Sequence, residues 1–117
     1  MSTTFLNREE IENVAIKALM NSGASETAAS ALAKGVAAAE MDGIASHGLV
    51  YVPIYCEHLA CGKVNPNAKV VVDHAASSAI VVDADSGFAH PAIDAGFDLL
   101  IESAKKNGCA AMSIRNS

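Results

Sequence analysis

The feature that most constrains this chain is a change of hydrophobic period at Asn65-Pro66-Asn67. Before that turn signal the apolar residues recur at helical spacing; after it come short β-type runs. A chain of 117 residues has room for one domain's worth of core. The pattern therefore predicts an α+β architecture, with helices over residues 1–67 and the start of a sheet over 68–117.

Within the first part, Asn7 followed three residues later by Glu10 is a capping-box pattern. Ile11, Val14, Ala15, Ala18 and Leu19 then supply an amphipathic stripe, which Asn21-Ser22-Gly23 ends. Ser25 can cap a second helix reaching about Met41, where seven alanines surround Leu32 and Val36. So slim a helix suits either tight packing in its own unit or a subunit contact. Residues 42–48 break the pattern with two glycines, and a third helix starts near Pro53 and stops at Gly62. In the second part, Val70-Val71-Val72 and Ala79-Ile80-Val81-Val82 read as two strands, in a hairpin arrangement. Pro91 opens a helix with Ile93, Phe97, Leu100, Ile101 and Ala104 on one face, and Cys109 to Ile114 is a further strand. The order is α-α-α then β-β-α-β, in which the helix can serve as a right-handed crossover between parallel strands.

Composition removes several function classes. Net charge is −5 and aromatic residues are 4%, so there is no electrostatic footprint for a phosphate backbone and nucleic acid is not an expected partner. No apolar run approaches the roughly 18 residues a membrane span needs, and MSTTFLNREE lacks the basic-then-apolar pattern of a secretory signal. Cys56, Cys61 and Cys109 are an odd number, which fits a reducing cytoplasm better than a disulfide framework. Cys56-x-His58-x-x-Cys61 lacks the tighter pairs and second cluster of a zinc site, so buried or half-buried thiols, and no metal, are expected.

There is no G-x-G-x-x-G after a strand, no phosphate-binding loop, no H-E-x-x-H and no nucleophile elbow. Asp83 and Asp85 read as solvated carboxylates or caps of the following helix. His74 and His90 read as hydrogen-bonded turn histidines, and His58 as a surface or packing residue on a short helix. What stands out is Ser46-His47-Gly48. An imidazole titrates near neutrality, a neighbouring hydroxyl can orient it, and glycine lets a ligand approach the main chain. Alone, the tripeptide is open to a catalytic or an ordinary loop histidine.

The stretch from Ala39 to Gly48 (AEMDGIASHG), followed by Pro53, Tyr55 and Gly62-Lys63-Val64-Asn65-Pro66-Asn67-Ala68, closely resembles the malate/L-lactate dehydrogenase family. That family includes ureidoglycolate, sulfolactate and diketogulonate enzymes and cyclic-imine reductases. The tail from Lys105 to Ser117 is similar to the segment leading into the family's next active-site stretch.

The resemblance implies a non-Rossmann oxidoreductase, α/β when complete, that uses NAD or NADP. Such an enzyme transfers hydride between the nicotinamide and a small 2-hydroxy/2-oxo acid, or reduces a related imine. It implies His47 as general acid/base, Ser46 as its relay, a cytoplasmic homodimer, and Tyr51 at the substrate-binding position where the family usually has an arginine. Because family members are about three times as long, the resemblance also implies an N-terminal portion. The nicotinamide-binding domain and a second active-site histidine are then expected beyond Ser117, and the 117 residues alone are expected to be inactive. The competing expectation is a non-enzymatic α+β module for oligomerisation or partner binding, or an inactive shortened product, which the length and Tyr51 favour.

Overall fold

In the computed structural model, which describes residues 2–117, the chain divides into two compact units on either side of the Gly62–Lys63 bond. The first unit is helical. Asn7 caps α1 (Arg8–Asn21): its side-chain oxygen accepts from the Glu10 amide at 2.9 Å, and the Glu10 carboxylate accepts from the Asn7 amide at 2.7 Å. The capping box read from the sequence is thus complete. The buried face of α1 is Ile11, Ala15 and Leu19, a single i, i+4, i+8 row. Val14, expected on that face, is 50% exposed. The opposing helix presents mostly methyl groups, and so thin a partner covers only a narrow strip.

That partner is α2 (Glu26–Met41), capped by Ser25, whose hydroxyl accepts from the Ala28 amide at 3.2 Å. Ala29, Leu32, Ala33, Val36 and Ala37 are buried, and α2 packs against α1. The alanine-rich face is therefore used for close packing inside its own unit, where the loss of bulk lets backbones approach. The expected irregular loop before α3 is instead two short 3-10 turns, Ala45–His47 and Leu49–Tyr51. They lead directly into α3 (Val52–Ala60), which has Pro53 in its first turn, where a missing N–H costs nothing.

The second unit carries a three-stranded sheet in the order β1-β2-β3. Strand β1 (Val71–Ala76) pairs antiparallel with β2 (Ala79–Asp83), with Val72 opposite Val82 and a register shift between Asp73 and Ala76. Helix α4 (Ala89–Asn107) carries the chain to β3 (Ala111–Arg115), which runs parallel to β2 with Ile80 opposite Met112. This is the β-β-α-β order expected. The core of the unit is Ile80, Val82, Ala84 and Ala92, with Val70, Leu99, Leu100, Met112 and Ile114 packed around it.

Two local expectations for this unit fail. Helix α4 begins at Ala89, not Pro91, so the proline occupies the third helical position, still within the turn whose amides have no intrahelical partner. Its fully buried residues are Ala92, Gly96 and Ser103; of the expected stripe Ile93, Phe97 and Ile101 are exposed, whereas Leu100 packs against the core. At Gly96 the sheet comes too close for a side chain, since a Cβ there would meet Met112 and Val82.

Candidate active site

Helix α2 unwinds through Gly43, whose φ of +73° lies in the left-handed region that glycine adopts at low cost. The Ile44 amide donates back to the Ala39 carbonyl at 2.8 Å, which fixes the chain's exit from the helix. The first 3-10 turn is closed by His47 N–H to Ile44 C=O at 3.0 Å and Gly48 N–H to Ala45 C=O at 3.1 Å. The second is closed by Tyr51 N–H to Gly48 C=O at 3.0 Å. Ser46 and His47 are both exposed on the first turn, and Ser46 Oγ lies 3.0 Å from His47 Nδ1. If Nδ1 carries its proton toward the serine oxygen, Nε2 is left with a lone pair for an incoming proton. In the imidazolium both nitrogens are donors.

Tyr51, on the second turn, is 37% exposed. Its ring packs against Tyr55, one turn further along, with centroids 4.9 Å apart and planes at 60°. Burial, and secondarily the neighbouring Tyr51, push the Tyr55 phenol above its ordinary range. Glu40, given no role from sequence alone, joins this group, and Gly48 serves it in a way not foreseen. Glu40, half-buried on the last turn of α2, accepts the Leu49 amide on Oε1 at 2.7 Å. A Cβ on Gly48, which is buried, would overlap that same carboxylate.

Other candidates resolve into structural contacts. The half-buried Cys56 thiol lies 3.6 Å from the Ala18 carbonyl and the Cys61 thiol 3.7 Å from the His58 carbonyl, but Cys61 and Cys109 are exposed, against the expectation of buried or half-buried thiols. Among the described residues no group of three or more His, Cys, Asp or Glu is placed to hold a metal ion. Asp83 and Asp85 do not cap α4, whose N-cap, Phe88, offers no side-chain hydrogen bond. Asp83 instead accepts from the Asp85 amide, Arg115 Nε and Asn116 Nδ2, while Asp85 accepts from the Lys69 amide at 2.9 Å. These residues line a groove of about 490 Å³ in the second unit. Among the described residues no helix is long and apolar enough to cross a membrane.

Comparison with known proteins supports the fold. The Δ1-pyrroline-2-carboxylate/Δ1-piperideine-2-carboxylate reductase of Pseudomonas syringae pv. tomato is 41% identical over 95 residues, covering 81% of this chain and 28% of that protein. The (2R)-3-sulfolactate dehydrogenase (NADP(+)) of Chromohalobacter salexigens is 38% identical over 112 residues, covering 96% and 33% respectively. Among solved structures, the Δ1-piperideine-2-carboxylate reductase from Pseudomonas syringae superposes with a TM-score of 0.94 at 35% identity, over 98% of this chain and 35% of that one. Malate dehydrogenase from Entamoeba histolytica gives 0.86 at 28% identity, over 99% and 32%. The chain thus spans about a third of the length of the relatives it matches. The family model for malate/L-lactate dehydrogenase matches residues 6–117, and the chain belongs to that family.

Proposed function

We propose that this chain supplies the proton-transfer group of an NAD(P)-dependent oxidoreductase. Its substrate is a small carboxylate whose second carbon carries a hydroxyl, a carbonyl or an imine. The observation that carries the reading is the exposed Ser46–His47 pair, 3.0 Å apart, in a member of this family. Hydride transfer is the chemistry of the nicotinamide when bound. In the reductive direction negative charge grows on the heteroatom at the second carbon, and protonated His47 neutralises it from Nε2. In the oxidative direction neutral His47 takes the hydroxyl proton, with Ser46 holding Nδ1 and relaying its proton. Tyr51 offers the substrate carboxylate one hydrogen bond without a charge.

The turn between β2 and α4 does not fit a dinucleotide pyrophosphate. It presents two carboxylates, Asp83 and Asp85, where bare glycine amides would be needed. We assign no cofactor contact to it, and we propose that the dinucleotide is held mainly by polypeptide outside these residues. We further propose a cytoplasmic homodimer, which sedimentation of the purified protein tests.

The decisive experiment uses protein expressed from the complete reading frame, with NADH or NADPH and pyruvate, oxaloacetate or Δ1-piperideine-2-carboxylate. At least one pair should turn over, and His47→Ala should lower turnover by about 10²- to 10⁴-fold with the fold intact. Wild-type turnover in that variant, or no oxidation of either nicotinamide by the unmodified protein, removes the proposal.

A further inference from the structure

We infer that Glu40 and Gly48 form a clamp that positions the His47 turn, with Glu40 as a positioning residue for proton transfer. The inference rests on the reading of His47 given above. Neither 3-10 turn is capped by a side chain of its own N-cap residue. Turns this short hold few hydrogen bonds, so their orientation must be set from outside. The Leu49 amide opens the second turn, and it is satisfied by Glu40 Oε1 at 2.7 Å, a charge-assisted bond that spans nine residues of sequence. One end of the bond is on the last turn of α2 and the other is two residues after the imidazole.

Gly48 is what permits the approach. Its φ of −90° lies outside the left-handed region. The missing Cβ is what the contact needs, because a methyl group there would occupy the volume of the Glu40 carboxylate. Removing either half of the clamp therefore releases the same turn. A displacement of the imidazole by about 1 Å is enough to cost on the order of 100-fold in rate.

The test compares Glu40→Ala, Glu40→Gln and Gly48→Ala with His47→Ala, all in protein expressed from the complete reading frame. Glutamine keeps an oxygen that accepts the Leu49 N–H but carries no charge. Glu40→Gln should therefore retain a near-wild-type kcat and an unchanged pH profile. Glu40→Ala should lose about 10- to 100-fold in kcat with a smaller change in KM. Gly48→Ala should match it, and the double variant should be no worse than either single one. Equal losses in the alanine and glutamine variants, or additive losses in the double variant, overturn the clamp.

The clamp is also read without catalysis, by hydrogen exchange of the Leu49 amide. Exchange should be slow in the wild type and Glu40→Gln and fast in Glu40→Ala; the same rate in all three overturns the inference. Failure of the underlying assignment shows separately, as turnover retained by His47→Ala.

Discussion

Both carboxylate oxygens of Asp83 accept from the side-chain amide of Asn116, at 3.1 and 3.0 Å. The pair joins the last residue of β2 to the residue after β3 and holds Asn116 at a φ of +55°. The Asp85 amide and then Asn116 hold the Asp83 carboxyl below the usual carboxylate range, with Arg115 adding to the effect. Folding therefore favours the ionised form. Its contribution is present above the unfolded-state value of about 3.9 and is lost as pH falls through the folded-state value. A carboxyl-carbon NMR titration should find Asp83 titrating low. Asn116→Ala should raise the midpoint only part of the way, because the Asp85 amide, the larger cause, remains.

Tyr51 should trade substrate grip against ring packing. An arginine there would offer the carboxylate a charged, two-pronged donor in place of one neutral hydroxyl, a gain of about 1 kcal/mol or more. Tyr51→Arg should therefore lower KM for the preferred 2-oxo acid or imine by roughly 5- to 10-fold with little change in kcat. It should also destabilise the fold by about 0.5–1.5 kcal/mol through loss of the 4.9 Å ring contact with Tyr55. Tyr51→Phe should keep the ring contact and raise KM. Unchanged KM in both variants would mean that the hydroxyl does not touch substrate.

What could be read in the sequence was what depends on near neighbours. Asn7 and Glu10 are three residues apart, and Ser46 and His47 are adjacent, so the capping box and the hydroxyl–imidazole pair follow from local spacing. The change of period at Asn65-Pro66-Asn67 likewise separated helices from sheet. What escaped depends on approach in space. In α4 the larger apolar residues Ile93, Phe97 and Ile101 drew the stripe to the wrong face, since nothing local reveals how near the sheet will come. The Glu40–Leu49 bond depends on a chain reversal and an absent Cβ, and Asp83 found its side-chain partners Arg115 and Asn116 more than thirty residues away.

His90 links the sheet unit's stability to pH near neutrality. Burial holds its imidazole below the usual range, and Asp94, one turn on, only partly offsets this. The neutral form is favoured by folding, so between the folded-state value and about 6.5 the unfolded chain binds more protons. Stability should be full above about 6.5 and fall as pH drops through the folded-state value. Thermal unfolding of the purified protein as a function of pH should show this slope. His90→Gln should flatten it, and Asp94→Asn should move it to lower pH. A slope untouched by His90→Gln would place the titration elsewhere.

Gly96 should resist even the smallest side chain. In an exposed helix, glycine to alanine gains up to about 1 kcal/mol from propensity alone. At this position the new methyl would run into the Met112 sulfur and lie 2.8 Å from Val82 Cγ2. The methionine can swing aside, since its thioether has several accessible rotamers. Val82 cannot, because it is fully buried, β-branched and held in the central strand. Overpacking a core costs about 1–3 kcal/mol, which outweighs the propensity gain. Gly96→Ala should therefore lower unfolding stability by about 1–2 kcal/mol, measured by chemical denaturation. Adding Val82→Ala to that variant should recover less than the valine's own loss costs, yet leave the two changes non-additive, because they share one contact. Additive effects would show that the helix has shifted instead of pressing on the sheet.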